Sequence, residues 1–215
     1  MANCCFTEID IYSDNYQKEL ETLAENLCKW TEGEYDQKWL GNILIRSGVV
    51  TEEDIKEGRC PYRCRGSLVY SELYGNDQLH ITTETAWVPM MSMWQAVCGK
   101  AGIKDANIIF SGEERGCGVL VTNNPDVLSA PYEFDGYFDE KDNDMICFFD
   151  PYNADMHDGY VEEDNVTEKR LKEVFNLAKK EYPEIEHLED LNKHMKSNGS
   201  YFVVHKYTKA SLSSF

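Results

Sequence analysis

The chain has 215 residues, of which 42% are hydrophobic and 12% aromatic, so it can bury a real core and is not a disordered segment. Its net charge of −18 disfavours ordinary DNA or RNA binding, because such a surface repels phosphate backbones. No window of 18 apolar residues is present to cross a bilayer, and Met1 to Ser13 lacks the basic and apolar regions of a signal peptide.

From Thr7 to Tyr12 polar and apolar residues alternate, which predicts a first strand with Phe6, Ile9 and Ile11 available for burial. Ser13, Asp14 and Asn15 can cap the helix that follows. Its apolar residues Tyr16, Leu20, Leu23, Leu27 and Trp30 recur at helical spacing, and Gly33 breaks it. A second helix is expected over 36–47, with Gly48 as its stop. Thr51 and Asp54 then form the cap of one further turn. Segments 67–73 and 78–85 flank Tyr74-Gly-Asn-Asp77, a strong turn signal, and predict a β-hairpin.

Pro89 suits the first turn of a helix carrying Met90, Met93, Trp94 and Val97 and ending at 99–102. Two strands, 107–111 and 118–122, are joined by the turn Glu113-Glu-Arg-Gly116. Further on, 132–138 and 145–149 read as short strands around the polar stretch 139–144. An amphipathic helix covers 166–182, with Thr167 as an alternative cap and Pro183 as its stop. A further helix over 185–195, a strand over 201–207 and a loose tail complete the chain.

In a chain of this length eight cysteines read as thiols of a reducing, cytoplasmic protein, with Cys28, Cys98 and Cys147 set among apolar neighbours. Cys60 and Cys64 have metal-like spacing, but a zinc site needs a second pair of ligands and none is recognisable. His157 and Asp158, like Asp139, Asp142 and Asp144, lack the ligand period and central glycine of a calcium loop. No phosphate loop and no serine elbow occurs, so no metal and no organic cofactor is expected.

In order these elements are β, α, a helical insertion near 34–65, a β-hairpin, α and a second hairpin. An antiparallel sheet with its helices on one face buries them most simply, which makes the fold class α+β. Met1-Ala-Asn3 before the first strand, Thr83-Glu-Thr-Ala-Trp-Val-Pro89 and Glu113-Glu-Arg-Gly-Cys-Gly-Val-Leu-Val-Thr-Asn-Asn124 resemble the YubB-like family. Its members have a ferredoxin-like domain and are encoded largely on plasmids, phages and conjugative elements, including those of gut Bacteroidetes. The resemblance covers residues 1 to about 140 and implies a ferredoxin-like core, here placed at 1–150; 151–215 has no counterpart in the family and reads, from the apolar stripe of its helix, as a helical and strand extension packed on the core. It implies no established reaction. Family members usually carry Trp where this chain has Cys4, and often a second Pro where it has Met90.

The candidate functional surface comprises Glu84, Trp87, Glu113, Glu114 and Arg115, which fall at strand ends. Carboxylates converging beside an aromatic ring can separate their pKa values into an acid and a base. The same residues can serve structure instead, as turn and helix-start acceptors of backbone N–H groups. Between Glu113 and Asp164 there are 15 acidic residues against only Arg115 and Lys141, a solvated face or a docking patch for a basic partner. The leading expectation is a mobile-element accessory protein that binds another protein bearing a basic surface, with no nucleic-acid or membrane partner. The alternatives are a small hydrolase or nucleotide-handling enzyme using Glu84, Glu113 and Glu114, and an acidic mimic of DNA.

Overall fold

A computed structural model describes residues 4–30, 38–149 and 159–214. They fall into two compact units, 1–124 with 209–215, and 125–208.

The first unit opens with β1 (Cys4–Tyr12), whose odd-numbered residues from Cys5 to Ile11 are buried while the even ones face outward. α1 (Gln17–Trp30) starts behind Ser13, whose hydroxyl accepts the Tyr16 N–H at 3.1 Å. Asp105 anchors that cap from outside, accepting both the Ser13 hydroxyl and the Asn15 amide. α2 (Leu40–Arg46) and α3 (Glu52–Lys56) follow, and Thr51 and Asp54 form the expected reciprocal cap on α3. The remainder of the expected 36–47 helix, and the Gly33 break, lie outside the described residues. β2 (Gly66–Tyr74) and β3 (Gln78–Ala86) make the expected hairpin.

α4 (Met91–Ala101) begins two residues later than expected, with Met90 as its N-cap and Pro89 ahead of it. Pro89 instead packs against the sheet. A Cβ built on Gly112 would lie 2.3 Å from the Pro89 ring, so only glycine lets the two elements close. Gly112→Ala is therefore expected to cost about 1–3 kcal/mol through overpacking, read as a lowered denaturation midpoint. An unchanged midpoint would show that the proline ring simply moves aside.

β4 (Asn107–Glu114) runs further than the sequence suggested, taking Glu113 and Glu114 into the strand. The turn is a short 3-10 segment, Arg115–Cys117, before β5 (Val119–Thr122). The sheet order is β2-β3-β1-β4-β5, ending in the two-residue β9 (Thr208–Lys209). β1 pairs antiparallel with both β3 and β4. Each helical crossover thus skips one place: β3 fills the gap between β1 and β2, and β1 fills the gap between β3 and β4. Ile9, Ile11, Ile81 and Phe110 of the sheet share one core with Leu20, Leu23 and Leu27 of α1 and Met93, Trp94 and Val97 of α4. All the helices of this core therefore cover a single face. The other face of β1 to β4 is the open one: among the described residues no helix of this core lies on it, and Phe6, Tyr70 and Tyr74 are exposed there.

The second unit starts at Pro125, so 125–149, expected to finish the first domain, belongs instead with 159–208. α5 (Pro125–Ser129) leads into β6 (Tyr132–Tyr137), the middle strand of a sheet ordered β7-β6-β8. The second strand expected at 145–149 is in fact a 3-10 helix, Asn143–Phe148. Met145, Ile146 and Phe149 are all buried, a helical and not an alternating pattern. The partner strand is β7 (Tyr160–Val166), absent from the sequence reading. α6 (Glu168–Glu181) follows with Thr167 as its cap, then a 3-10 helix (Leu188–His194) within the span expected to be helical, and β8 (Tyr201–Lys206).

Phe134, Phe138, Phe149 and Phe202 pack around one another, the closest pair with ring centroids 4.5 Å apart. Arg170 clamps β7 to the 3-10 helix. Its guanidinium donates to both Glu163 oxygens, at 2.9 Å for the closest approach, and to the Phe149 carbonyl. Gly159 enters β7 with φ of +70°, and a Cβ there would lie 2.1 Å from the Phe138 carbonyl oxygen, so no side chain fits. Cys147 is not an apolar-core thiol: it is exposed and donates to the Asp144 carbonyl at 2.8 Å, whereas Cys98 is buried as expected.

Candidate functional site

Strand register assembles what the sequence left scattered. Phe6 of β1 is opposite Glu84 of β3 on one side and Glu113 of β4 on the other. The three form one row across the open face, a ring flanked by two carboxylates, with Phe6 42% exposed. Two strand spacings separate Glu84 from Glu113, about 10 Å between backbones, which is too far for the two carboxylates to share a proton. Arg115, just past the end of β4, places its Nε 3.5 Å from Glu113 Oε2.

Glu114 does not join them. As the next residue along β4 it points to the opposite, helix-covered face and is only 8% exposed. There it faces Cys5, whose thiol is pushed up by burial, with Glu114 and Glu113 adding to the rise against hydrogen bonds from Thr7 and Thr85. A three-carboxylate centre of Glu84, Glu113 and Glu114 is thus ruled out by the pleat.

Trp87 stands at the end of β3. The Val88 N–H donates to the Ala86 carbonyl at 3.0 Å, which closes a three-residue turn with Trp87 at its centre and φ of +75°. That is the rare, strained form of the γ-turn, and a bulky side chain in it costs about 1–2 kcal/mol. The Thr85 hydroxyl steadies the turn by donating to the Val88 carbonyl at 2.8 Å. In this turn the indole is 52% exposed.

A second row, which sequence reasoning missed, crosses the open face as Glu72, His80 and Asp10. His80 Nδ1 lies 2.9 Å from Asp10 Oδ1, and Asp10 also accepts Gln78 Nε2 at 3.0 Å. With Nδ1–H committed to the carboxylate, Nε2 faces the Thr82 hydroxyl at 3.4 Å. The order carboxylate, imidazole, hydroxyl resembles a nucleophile relay, but Thr82 is only 7% exposed and beyond the reach of a substrate. The network orders the face. Tyr70 and Tyr74 lie either side of His80, with ring centroids at 6.3 and 6.1 Å, and both hydroxyls hydrogen-bond Glu72. Those bonds, Tyr70 first, hold the Glu72 carboxyl below its usual range, and Glu72 in return pushes Tyr70 up to about 12. The only sequence signal was period-two spacing of Tyr70, Glu72 and Tyr74 on β2.

Elsewhere, the second unit has a groove of about 400 Å3 floored by Tyr132, Leu171, Phe175 and Val204 and rimmed by Lys172 and Lys206. Cys60 and Cys64 are half-buried against the first core, and the Cys64 thiol is pushed up to about 11 by burial and by Cys60 beside it. His157 and Asp158 lie outside the described residues. Among the described residues no group of three or more His, Cys, Asp or Glu side chains is placed to hold a metal, and no helix is long and apolar enough to cross a membrane. No family model matches the chain, and neither a curated protein nor a solved structure matches it.

Proposed function

We propose that this chain is a cytoplasmic accessory protein of a mobile element, a protein-interaction module that performs no reaction of its own. In this reading the first unit is a ferredoxin-like domain of the YubB-like kind. The strand order β2-β3-β1-β4 with two skipped crossovers supports that assignment, because it is the arrangement of a split βαβ pair. The partner is a protein with a basic surface, engaged by the open face around Phe6 and by Trp87 just past the end of β3.

One observation carries the proposal. Trp87 is a large ring held in solvent by a strained turn, and a chain that needed only stability would place glycine there. An exposed tryptophan kept at the cost of strain suits a binding anchor, because tryptophan is among the residues that dominate interface energies. Trp87→Gly is accordingly expected to leave stability unchanged or raise it by about 1 kcal/mol, and to lower recovery of the native partner about tenfold. Both are measured on the same preparations, by denaturant melting and by quantitative capture from cells that make the chain naturally. Equal recovery by the wild type and the glycine variant would overturn Trp87 as the anchor and, with it, the observation that carries this proposal.

A further inference from the structure

We infer that the open sheet face seats an extended, basic polypeptide segment whose Arg or Lys side chains fall at alternate positions. This rests on the reading above, that the face meets a protein partner, and adds what the partner presents. β1 to β4 contain no Lys or Arg. Of their six acidic residues only Glu114 is turned inward; Glu8, Asp10, Glu72, Glu84 and Glu113 stand on the open face.

The register sorts these five into successive rows across the strands. Glu72 and Asp10 flank His80; Glu8 lies in the row of Tyr70 and Thr82; Glu84 and Glu113 flank Phe6. Neighbouring rows are two residues apart along β1, about 7 Å, which is also the repeat of side chains on one side of an extended chain. A segment laid along the strands therefore presents one side chain to each row.

Each of these rows is bordered by an exposed ring. Tyr70 and Tyr74 bracket Glu72, Tyr70 shares the row of Glu8, and Phe6 stands between the last two carboxylates. A ring face beside a carboxylate suits a guanidinium, which can stack and hydrogen-bond at once. Cations at the border of the face include Arg115 and Lys38. Arg115 pairs with Glu113 at 3.5 Å, and Lys38 reaches the Val69 carbonyl at the β2 edge at 3.5 Å. An incoming cation shares Glu113 with Arg115 and finds the other carboxylates opposite no basic side chain of β1 to β4 except His80. Phosphate-bearing partners meet like charge here.

The test uses the full-length chain and three blocked eight-residue probe peptides. One alternates Arg and Thr, one carries the same residues as an Arg block followed by a Thr block, and one alternates citrulline and Thr. At about 50 mM salt, where surface charge is weakly screened, the alternating Arg peptide is expected to bind at least about tenfold tighter than either of the others. Glu8→Gln with Glu84→Gln should weaken it about tenfold. Glu21→Gln with Glu25→Gln, the same charge change on exposed α1 positions, should leave it within about twofold. Equal binding of the two Arg peptides, or equal loss in the two double variants, would reduce the effect to long-range attraction and overturn the proposal. Failure of the alternating peptide while Trp87→Gly still loses the native partner would sink this inference and leave the interaction reading standing. The converse result would place the native partner elsewhere.

Discussion

Replacing Asp142 by alanine is expected to cost the second unit about 3–5 kcal/mol, the range for breaking a buried charged network by removing one member. The carboxylate is fully buried and accepts three donors: the Lys196 N–H at 2.7 Å, the Ser197 N–H at 3.0 Å and the Ser200 hydroxyl at 2.7 Å. Ser200 in turn accepts the Asp139 N–H at 3.0 Å, so one side chain ties the turn after β6 to the loop before β8. Burial alone would push this carboxyl up. The backbone donors of Lys196 and Ser197, the Ser200 hydroxyl and the Lys196 charge outweigh it and hold the group below the ordinary aspartate value of 3.8. Because the folded value is depressed, the stabilisation is fully present above that ordinary value and is lost as pH falls through the lower folded one. Asp142→Asn keeps the shape but not the charge. Its deficit relative to the wild type should be wide at neutral pH and should narrow as pH falls below the ordinary aspartate value of 3.8, measured by denaturant unfolding and by amide exchange at Lys196 and Ser197. A deficit of constant size across that range would mean that the ion is not what holds these loops.

What the sequence disclosed, and what it hid, follows from the range of the interactions concerned. β1 was legible because alternation is local: Cys5, Thr7, Ile9 and Ile11 face the core and their neighbours do not. The β2–β3 turn and the Thr51 and Thr167 caps were legible for the same reason, since each is set by side chains within a few residues. β7 was hidden because only Val161 and Val166 of its seven residues are buried, and its acids read as a solvated run. The apolar stretch 145–149 misled because hydrophobicity without a clear period does not separate a strand from a helical turn.

The candidate site divides along the same line. Trp87, Glu84 and Glu113 were recognisable as chemically loaded residues at strand ends. Their arrangement around Phe6 depends on the pairing of three strands distant in sequence, and no local spacing encodes it. Glu113 and Glu114 looked equivalent as neighbours in a turn. They are opposites because β4 continues through both and the pleat alternates them. The positive φ of Trp87 is likewise a product of the finished fold, because an isolated tryptophan avoids that conformation.

Two tryptophans of the first unit make the last contrast, and Trp94 gives the second large effect. Trp94→Ala is expected to destabilise the first unit by about 3–5 kcal/mol, the cost of emptying a large aromatic site in a packed core. The side chain is fully buried on α4, among the residues that join that helix to α1 and the sheet. Its indole N–H has no hydrogen-bond partner among the described residues. A buried donor left in that state costs about 1–3 kcal/mol, so the ring is held there by its volume, against the preference of its polar atom. Trp94→Phe removes the unpaired N–H together with part of the volume, and the two changes oppose each other. It should therefore lie within about 1.5 kcal/mol of the wild type, far from the alanine variant. Denaturant melts of the two variants separate the contributions: a phenylalanine variant as damaged as alanine would mean that the indole N–H has a partner, and that the polar end of the ring, not its bulk, is what the core is built around.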